Sequence, residues 1–312
     1  MAGNLRREPF LTVAEGERCA RNPLDLAPAK GARWIDAALV AYARGFEHPA
    51  KIRILRWLVR RLLAGRVRIH YAPTATIAID PADYIGWAVL RTGHYEPASL
   101  TLALQIMDRQ PGLFVDIGAN FGWYSCAVAA IAGTTVIGIE PDCENCAALR
   151  ANLALNRLAN VTVVNGAVGA DFAPVQLVRR ARSNSGTVAI KASDEEPGIR
   201  GDWVATIPLD RLLECIVIPP VRPELVKLDV EGFEPQALAG LDFAGPFRPR
   251  NVLMEFDPVL SAGAWGSLQA LQAFFAAKNY GLFDVLGRPV IEDRPLVEAN
   301  VWARDQSAEP KR

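Results

Sequence analysis

One segment of the chain combines a carboxylate with glycines in a way that suits ligand binding. An apolar run contains Asp116 and leads into Gly118 and Gly122, and a helical pattern begins directly after them. Glycine has no Cβ, so it adopts unusual backbone conformations and lets a ligand approach the main chain closely. The start of a helix behind such a turn offers free N–H groups. The segment therefore predicts a strand, a ligand-binding turn and a helix.

The residues within this turn discriminate between two classes of adenosine-containing cofactor. Dinucleotide enzymes need the pattern G-x-G-x-x-G, and Asn120 breaks it. Asp116 would also repel the pyrophosphate that binds at the helix start in such enzymes. S-adenosylmethionine (SAM), in contrast, carries a sulfonium and an ammonium, which a carboxylate at the strand end attracts. The turn therefore favours SAM over NAD.

Two further positions suit an adenosine ligand. Glu140 ends the next apolar run, about 20 residues after the glycine turn, where an acid accepts hydrogen bonds from both ribose hydroxyls. Such an acid serves NAD and SAM alike, so Glu140 does not choose between them. The small residues of segment 165–169, including Ala167, would leave room for adenine, but an ordinary turn explains them equally well.

Lys227, Asp229 and Glu231 follow one another at every second position where another apolar run ends. If the strand continues, period-two alternation places all three side chains on one side of it. Carboxylates buried beside a lysine are costly unless they serve each other or a ligand. We interpret the three residues as catalytic or substrate-orienting. The alternative is a structural ion-pair cluster at the start of the helix near Phe233.

Metal chemistry has weaker support. Glu255 and Asp257 end a further apolar run, and acids at adjacent strand ends are the ligands that Mg²⁺ prefers. No complete ligand set accompanies them, so we predict no metal. Cys143 and Cys146 form a C-x-x-C pair, but no second Cys pair or spaced His pair completes a zinc site. Both lie in a helical pattern, and we interpret them as ordinary helix residues.

The elements that must position these residues alternate between strand and helix from residue 113 onward. The predicted strands span residues 113–117, 135–139, 161–164, 225–228, 252–256 and 282–285. The predicted helices span residues 123–132, 144–158, 233–241 and 267–278. Short apolar strands separated by helices predict an α/β fold with a doubly wound, mostly parallel, Rossmann-like sheet. Helical patterns over 34–42 and 51–63 and a β-hairpin over 67–79 precede it.

The domain organisation follows from these patterns. We predict an N-terminal arm and helical extension over residues 1–65, the α/β domain over 66–306 and a disordered tail over 307–312. Five cysteines without regular spacing do not indicate a disulfide framework. No apolar window of about 18 residues indicates a transmembrane helix, and the N-terminus lacks the apolar core of a signal peptide. The sequence therefore predicts a cytoplasmic protein.

The charge of the chain is balanced, with 34 Lys and Arg residues against 34 Asp and Glu residues. The overall charge thus gives no reason to expect nucleic acid or an anionic membrane as a partner. One local exception is the helical stretch 51–63, where arginines accompany an apolar stripe. Such a helix can contact a membrane surface or a phosphate-bearing substrate, but a solvated face is the simpler interpretation.

Taken in order, these segments resemble the FkbM family of SAM-dependent methyltransferases. The resemblance covers roughly residues 84–260 and is carried by G-H-Y-E at 93–96, F-V-D-I-G-A-N-F-G at 114–122, I-E-P at 139–141, N-S-G at 184–186, L-D at 209–210, V-K-L-D-V-E-G-F-E at 226–234 and M-E at 254–255. The D-I-G-A-N and K-x-D-V-E-G-x-E strings in this order form a specific combination.

The resemblance implies transfer of a methyl group from SAM to a hydroxyl of a sugar, glycan or natural-product scaffold. It implies that Asp116, Gly118, Asn120 and Glu140 contact SAM, and that the residues at 227, 229 and 231 lie near the reacting centre. We predict an acceptor of this kind and no nucleic acid. The alternatives are a nucleotide-dependent oxidoreductase, which would need a glycine at position 120, and an adenosine-binding module without chemistry. The acidic cluster argues against that module.

Overall fold

The computed structural model describes residues 34–63, 65–73, 75–81, 83–179, 188–191, 202–258, 262–291 and 294–307. The predicted N-terminal arm up to residue 33, the N-S-G string at 184–186 and residues 308–312 of the predicted tail lie outside the described residues. The predicted domain boundaries at residues 65 and 306 stay predictions.

The N-terminal part of the described chain combines helices with a β-hairpin. Its elements are α1 (Trp34–Arg44), α2 (Lys51–Leu62), β1 (Val67–Ala72), β2 (Ala75–Ile79), α3 (Tyr84–Thr92) and α4 (Pro97–Arg109). The two strands pair antiparallel, which confirms the predicted hairpin. Helix α1 packs on α2, α3 and β1. Buried side chains of these elements join one apolar cluster with residues of the main sheet, so the extension and the sheet share a core.

The remaining strands begin with β3, the strand that was predicted to precede the glycine turn. They are β3 (Leu113–Ile117), β4 (Thr135–Glu140), β5 (Val161–Asn165), β6 (Ala167–Val168), β7 (Ala173–Arg179), β8 (Val188–Lys191), β9 (Trp203–Ile207), β10 (Leu225–Leu228), β11 (Asn251–Glu255), β12 (Tyr280–Asp284) and β13 (Asn300–Asp305). All six predicted strands are present. Two have the predicted bounds, and the other four lie within two residues of them.

Seven of these strands form the main sheet, in the order β12-β13-β11-β10-β3-β4-β5. Strands β5, β4, β3, β10 and β11 are parallel, and β13 runs antiparallel between β11 and β12. This arrangement confirms the predicted doubly wound, mostly parallel sheet. The antiparallel strand β13 was not predicted. Strands β6, β9, β7 and β8 form a second sheet, in a region to which the sequence analysis assigned no strands.

Helices cover the main sheet. They are α5 (Trp123–Ala129), α6 (Cys143–Asn156), α7 (Leu209–Ile216), α8 (Glu234–Ala239), α9 (Ala262–Trp265) and α10 (Leu268–Ala276). Successive strand residues belong to different apolar clusters: Phe114 and Val136 pack in one, Val115 and Ile137 in the other. Both faces of the sheet are therefore buried, which explains why these strands are apolar at almost every position.

The strand order predicts a crevice beyond the carboxyl ends of β3 and β10. From β3 the chain proceeds through β4 to β5 on one side, and it later returns to the other side of β3 through β10 and β11. At such a reversal the loops beyond the carboxyl ends of two neighbouring strands diverge and leave room for a ligand. The glycine turn follows β3, and Asp229 follows β10, so the two predicted chemical segments flank this crevice.

The hairpin is joined to the sheet domain by side-chain amides of α6. Asn156 accepts a hydrogen bond from the Thr76 N–H (2.8 Å) and donates one to the Thr76 carbonyl (2.6 Å). Asn152 does the same at Ala78, with distances of 2.8 and 3.4 Å. Each amide thereby satisfies the donor and the acceptor of one residue of β2, as a neighbouring strand would.

The C-x-x-C pair lies in the first turn of α6. Cys143 is exposed, Cys146 is buried, and neither forms a disulfide. The Cys146 thiol points to the Glu140 carbonyl at 3.4 Å. This placement confirms the interpretation of both cysteines as helix residues.

Candidate active site

The glycine turn is held tightly against the neighbouring strand ends. The N–H groups of Gly118 and Ala119 both donate to the Ile139 carbonyl, at 2.9 and 3.0 Å. Gly118 has a φ of +81°, and a Cβ on it would lie 1.8 Å from the Asp229 carbonyl oxygen. We expected Gly118 to leave space for a ligand. Instead the backbone of Asp229 fills that space, so the glycine is required first by the packing of β3 against β10.

Gly122 is required for a different reason. It precedes α5 with a φ of +95°, a left-handed conformation that glycine adopts without strain. A Cβ there would also lie 2.6 Å from the Leu149 side chain of α6. The second glycine of the turn therefore lets α5 start close to α6.

Asp116 is buried in β3 with one carboxylate oxygen unsatisfied. Its Oδ2 accepts a hydrogen bond from the Ser125 hydroxyl at 2.6 Å. Its Oδ1 is also buried but makes no hydrogen bond with any described residue. Burial raises the pKa of Asp116, whereas the nearby charge of Lys227 lowers it. An unsatisfied buried carboxylate oxygen is costly, and a cation nearby offsets that cost.

Glu140 is the last residue of β4, and its carboxylate holds the glycine turn. Its Oε2 accepts from the Asn120 N–H at 2.8 Å, and Asn120 has a φ of +50°. Its Oε1 accepts from the N–H of Asp142 at 2.9 Å and from the Asn145 amide at 3.4 Å. Burial raises the pKa of Glu140 to about 7. The sequence predicted this residue only as a ligand contact, and the structure adds a role in holding the turn.

Ala167, the predicted adenine neighbour, lies in the short strand β6. It pairs with Thr206 of β9, and its side chain is buried. Its contact with a cofactor stays a prediction.

Lys227 and Asp229 form an ion pair at the end of β10. The Lys227 Nζ lies 2.8 Å from the Asp229 Oδ2 and 4.5 Å from the centroid of the Tyr124 ring. Burial alone would lower the pKa of Lys227. The charges of Asp229, Glu96 and Asp116 outweigh that effect and raise the pKa, so the lysine stays protonated. The lysine side chain is 2% exposed and the aspartate side chain 21%, so the carboxylate is the member that solvent or a substrate can reach.

Glu231 is placed differently from the other two. The prediction that all three side chains lie on one side of the strand required β10 to continue to residue 231, but β10 ends at Leu228. Glu231 and Gly232 have φ values of +54° and +97° and form a turn. The Glu234 carboxylate closes this turn by accepting from the N–H groups of Val230 (3.1 Å) and Gly232 (3.3 Å). Lys227 and Asp229 are thus brought together, whereas Glu231 reaches the same region from the turn.

Two half-buried acids that the sequence analysis left without a catalytic role complete the group. Glu96, at the start of α4, accepts a hydrogen bond from the Tyr124 hydroxyl at 2.8 Å. Burial and the charge of Asp229 raise the pKa of Glu96 to about 7. Burial and the charges of Asp229 and Glu231 raise the pKa of Glu255, at the end of β11, to about 8. Among the described residues, no three His, Cys, Asp or Glu side chains are arranged to hold a metal ion.

Asn300 begins β13 directly opposite Glu255. Its side chain is buried, and neither of its polar atoms makes a well-formed hydrogen bond with a described residue. It nevertheless lies close enough to Glu96 to lower the pKa of that carboxyl. A buried amide without a well-formed hydrogen bond is costly, so Asn300 is a candidate contact for a polar ligand.

Comparison with known proteins identifies the family. The profile of the Methyltransferase FkbM domain matches residues 116–282, more than half of the chain. The chain belongs to the FkbM methyltransferase family. The resemblance predicted from the sequence is therefore confirmed, and with it SAM as the cofactor. None of the proteins with curated functions matches the sequence.

Solved structures similar to this FkbM-family protein are distant. TYW2 from M. jannaschii in complex with AdoMet is 11% identical over 77% of this chain and 85% of its own, with a TM-score of 0.37. TYW2 from P. horikoshii in complex with MeSAdo is 14% identical over 77% and 70%, with a TM-score of 0.37. A methyltransferase from Geobacter sulfurreducens is 16% identical over 69% and 80%, with a TM-score of 0.39. Sequence identities and TM-scores this low do not identify the acceptor.

The described residues fit SAM. The Asp116 Oδ1, in the strand before the glycine turn, is a buried acceptor without a hydrogen bond to any described residue, which suits a cationic ligand. The acid Glu140 stands at the end of the neighbouring strand. Among the described helices of this FkbM-family protein, none has the length and apolar character needed to cross a membrane.

Proposed function

We propose that the protein is an O-methyltransferase that acts on a hydroxyl of a sugar, glycan or natural-product scaffold. One observation carries this proposal: the partly exposed Asp229 carboxylate, paired with buried Lys227, directly follows β10, and the Asp229 backbone packs against the glycine turn. When bound, SAM supplies a methyl group that its sulfonium has already activated. The protein's remaining tasks are to hold the cofactor, to orient the acceptor and to receive its proton.

The cofactor side of the crevice is the glycine turn. We assign its binding to Asp116, Gly118, Asn120, Gly122, Glu140 and Ala167. The unsatisfied Asp116 oxygen favours the positive end of the ligand, and Glu140 keeps one carboxylate lone pair for a ribose hydroxyl, since three hydrogen bonds within the protein occupy the others. The backbone contact at Gly118 fixes the turn relative to Asp229.

The acceptor side is the acidic strand end. The Asp229 carboxylate holds the acceptor hydroxyl and takes up its proton, and the ammonium of Lys227 at 2.8 Å fixes the position of this carboxylate. Glu231 lies in the adjoining turn and contributes a second acceptor for hydroxyl groups. Glu96 and Glu255 add two more carboxyls, whose raised pKa values of about 7 and about 8 let them donate as well as accept hydrogen bonds near neutral pH. These groups support a hydroxylated acceptor.

The proposal is tested by incubating the full chain with SAM and a panel of glycans and hydroxylated metabolites, with mass spectrometry of the products. We expect the gain of one methyl group on an acceptor oxygen. Asp229→Asn and Glu231→Gln preserve size but remove charge. Each should lower turnover on the order of 10²-fold or more, the usual contribution of a general base, and keep SAM affinity within a few-fold.

Asp108→Asn, at an exposed position of α4, is the matched control and should leave both quantities unchanged. Methylation of nitrogen or carbon in place of oxygen would contradict the proposed reaction. Normal turnover of both acidic-site variants would show that the cluster is a structural ion-pair network. Loss of SAM binding in both would place the cluster in the cofactor site.

A further inference from the structure

Helix α2 presents two opposite faces of different character. Leu55 and Val59 lie four residues apart and are buried against the rest of the protein. Trp57 stands midway between them in sequence, so at about 100° per residue it points directly away from that buried face. It is 61% exposed. Arg53 and Arg61, each four residues from Trp57, flank it on the same outer face.

The exposed surface of this helix carries several large apolar side chains. Ile54 lies beside Trp57 on the outer face, and Ile52 and Leu62 are exposed at the margins of the buried face. Phe46, in the segment that leads into α2, is 88% exposed. Isolated exposed hydrophobic residues are normal on protein surfaces, but a concentration of them in one short helix marks an interaction site.

Helix α2 is strongly basic. The helix carries five basic residues and no acidic one, although the whole chain has no net charge. Arg53, Arg60 and Arg61 are exposed and form no ion pair with any described residue. The outer face therefore combines unpaired positive charge with exposed apolar side chains.

We propose that α2 is an interfacial helix that docks the protein on the surface of an anionic lipid bilayer. The arginines contact headgroup phosphates, while Trp57 and Ile54 enter the boundary between headgroups and acyl chains. A nucleic acid would also attract the arginines. It would gain nothing from exposed aliphatic side chains such as Ile54 and Leu62, whereas a bilayer accommodates both kinds of side chain.

The test uses the full chain, so that residues 1–33 are present, and measures co-sedimentation with two kinds of vesicle. One kind is phosphatidylcholine alone, and the other contains a quarter of phosphatidylglycerol. We expect binding to the anionic vesicles only, and weaker binding as the salt concentration rises. Replacing Arg53 and Arg61 by glutamine should each weaken binding about fivefold. Trp57→Ser should weaken it by about tenfold or more, since an exposed tryptophan anchors a helix at an interface.

Matched controls come from elements other than α2. Trp203→Ser removes a tryptophan that is 60% exposed on β9, and Arg211→Gln removes an exposed arginine of α7. Both should bind vesicles as the parent does, and all variants should unfold at the parent temperature. Failure of the full chain to bind anionic vesicles overturns the proposal, as does equal weakening by the control variants. Tight binding to RNA without vesicle binding would assign this surface to a nucleic acid instead.

Discussion

Replacing Gly118 by alanine distinguishes a glycine that the fold requires from one that only the ligand requires. The added Cβ would lie 1.8 Å from the carbonyl oxygen of Asp229, well inside the 3.0 Å below which real Cβ atoms are essentially never found. The obstructing atom belongs to the backbone, so no side-chain rotation relieves the overlap. Either β10 shifts away from β3 or the turn opens.

The cost has two parts. An alanine held at a φ of +81° costs about 1–2 kcal/mol, and overpacking of this kind adds about 1–3 kcal/mol. Gly65 separates the two parts, because its φ is +87° and no described atom lies within 4 Å of a Cβ built on it. Gly65→Ala should therefore show the conformational cost alone. The loss of unfolded-state entropy is common to both variants and cancels in their difference.

The measurement is equilibrium unfolding in urea at 25 °C for the parent and both variants. Gly118→Ala should be less stable than Gly65→Ala by about 1–3 kcal/mol. Where it remains folded, its turnover should fall more than its SAM affinity, because the displaced group carries Asp229. Equal stability of the two variants would refute the close approach of the turn to β10, and with it our explanation of why position 118 is glycine.

Three further outcomes are expected. Glu140→Ala should weaken SAM binding by about 1.5–3 kcal/mol in calorimetry, the range for hydrogen bonds to a charged group, and measurable NADH binding by the parent would favour an oxidoreductase. Turnover should rise with pH through about 7, because Glu96, whose pKa is raised to about 7, gains a negative charge on ionising and thereby favours transfer of the acceptor's proton to neighbouring Asp229. In Glu96→Gln that rise should disappear; a persistent rise would assign it to another group. Activity should survive EDTA, and its loss with recovery on adding Mg²⁺ would show a metal requirement.

The core of the fold could be predicted because its strands are apolar on both faces. Runs such as Leu113–Ile117 and Leu225–Leu228 stand out in the sequence and were predicted with their observed bounds. Strand β13 has only a short apolar stretch and ends in Arg304 and Asp305. Asp305 can be buried because Arg248 lies 2.7 Å away and Arg222 also pairs with it. Those partners are distant in sequence, so local patterns do not reveal the strand.

The candidate site shows the same difference between residues with a local sequence signal and residues placed by distant parts of the chain. Asp116, Gly118 and Asp229 could be found because they lie in or directly after apolar runs, and parallel strands bring such positions to one edge of the sheet. Glu96 had no such local signal, since it is brought to the crevice by α4 and held there by Tyr124. Asn300 could not be found because it begins β13, a strand that was not predicted. The alignment of Glu231 with Lys227 failed because β10 ends at Leu228 and Glu231 itself adopts a left-handed φ of +54°.

The asparagines of α6 have a consequence for how the protein behaves at high concentration. A two-stranded hairpin normally exposes an edge with which another chain can pair, and such pairing leads to aggregation. Here the donors and acceptors of Thr76 and Ala78 are already occupied by Asn156 and Asn152. A second molecule would have to displace both amides before its own strand could add to β2 at these positions. The same two side chains that fasten the hairpin to the domain therefore also protect it from intermolecular strand exchange.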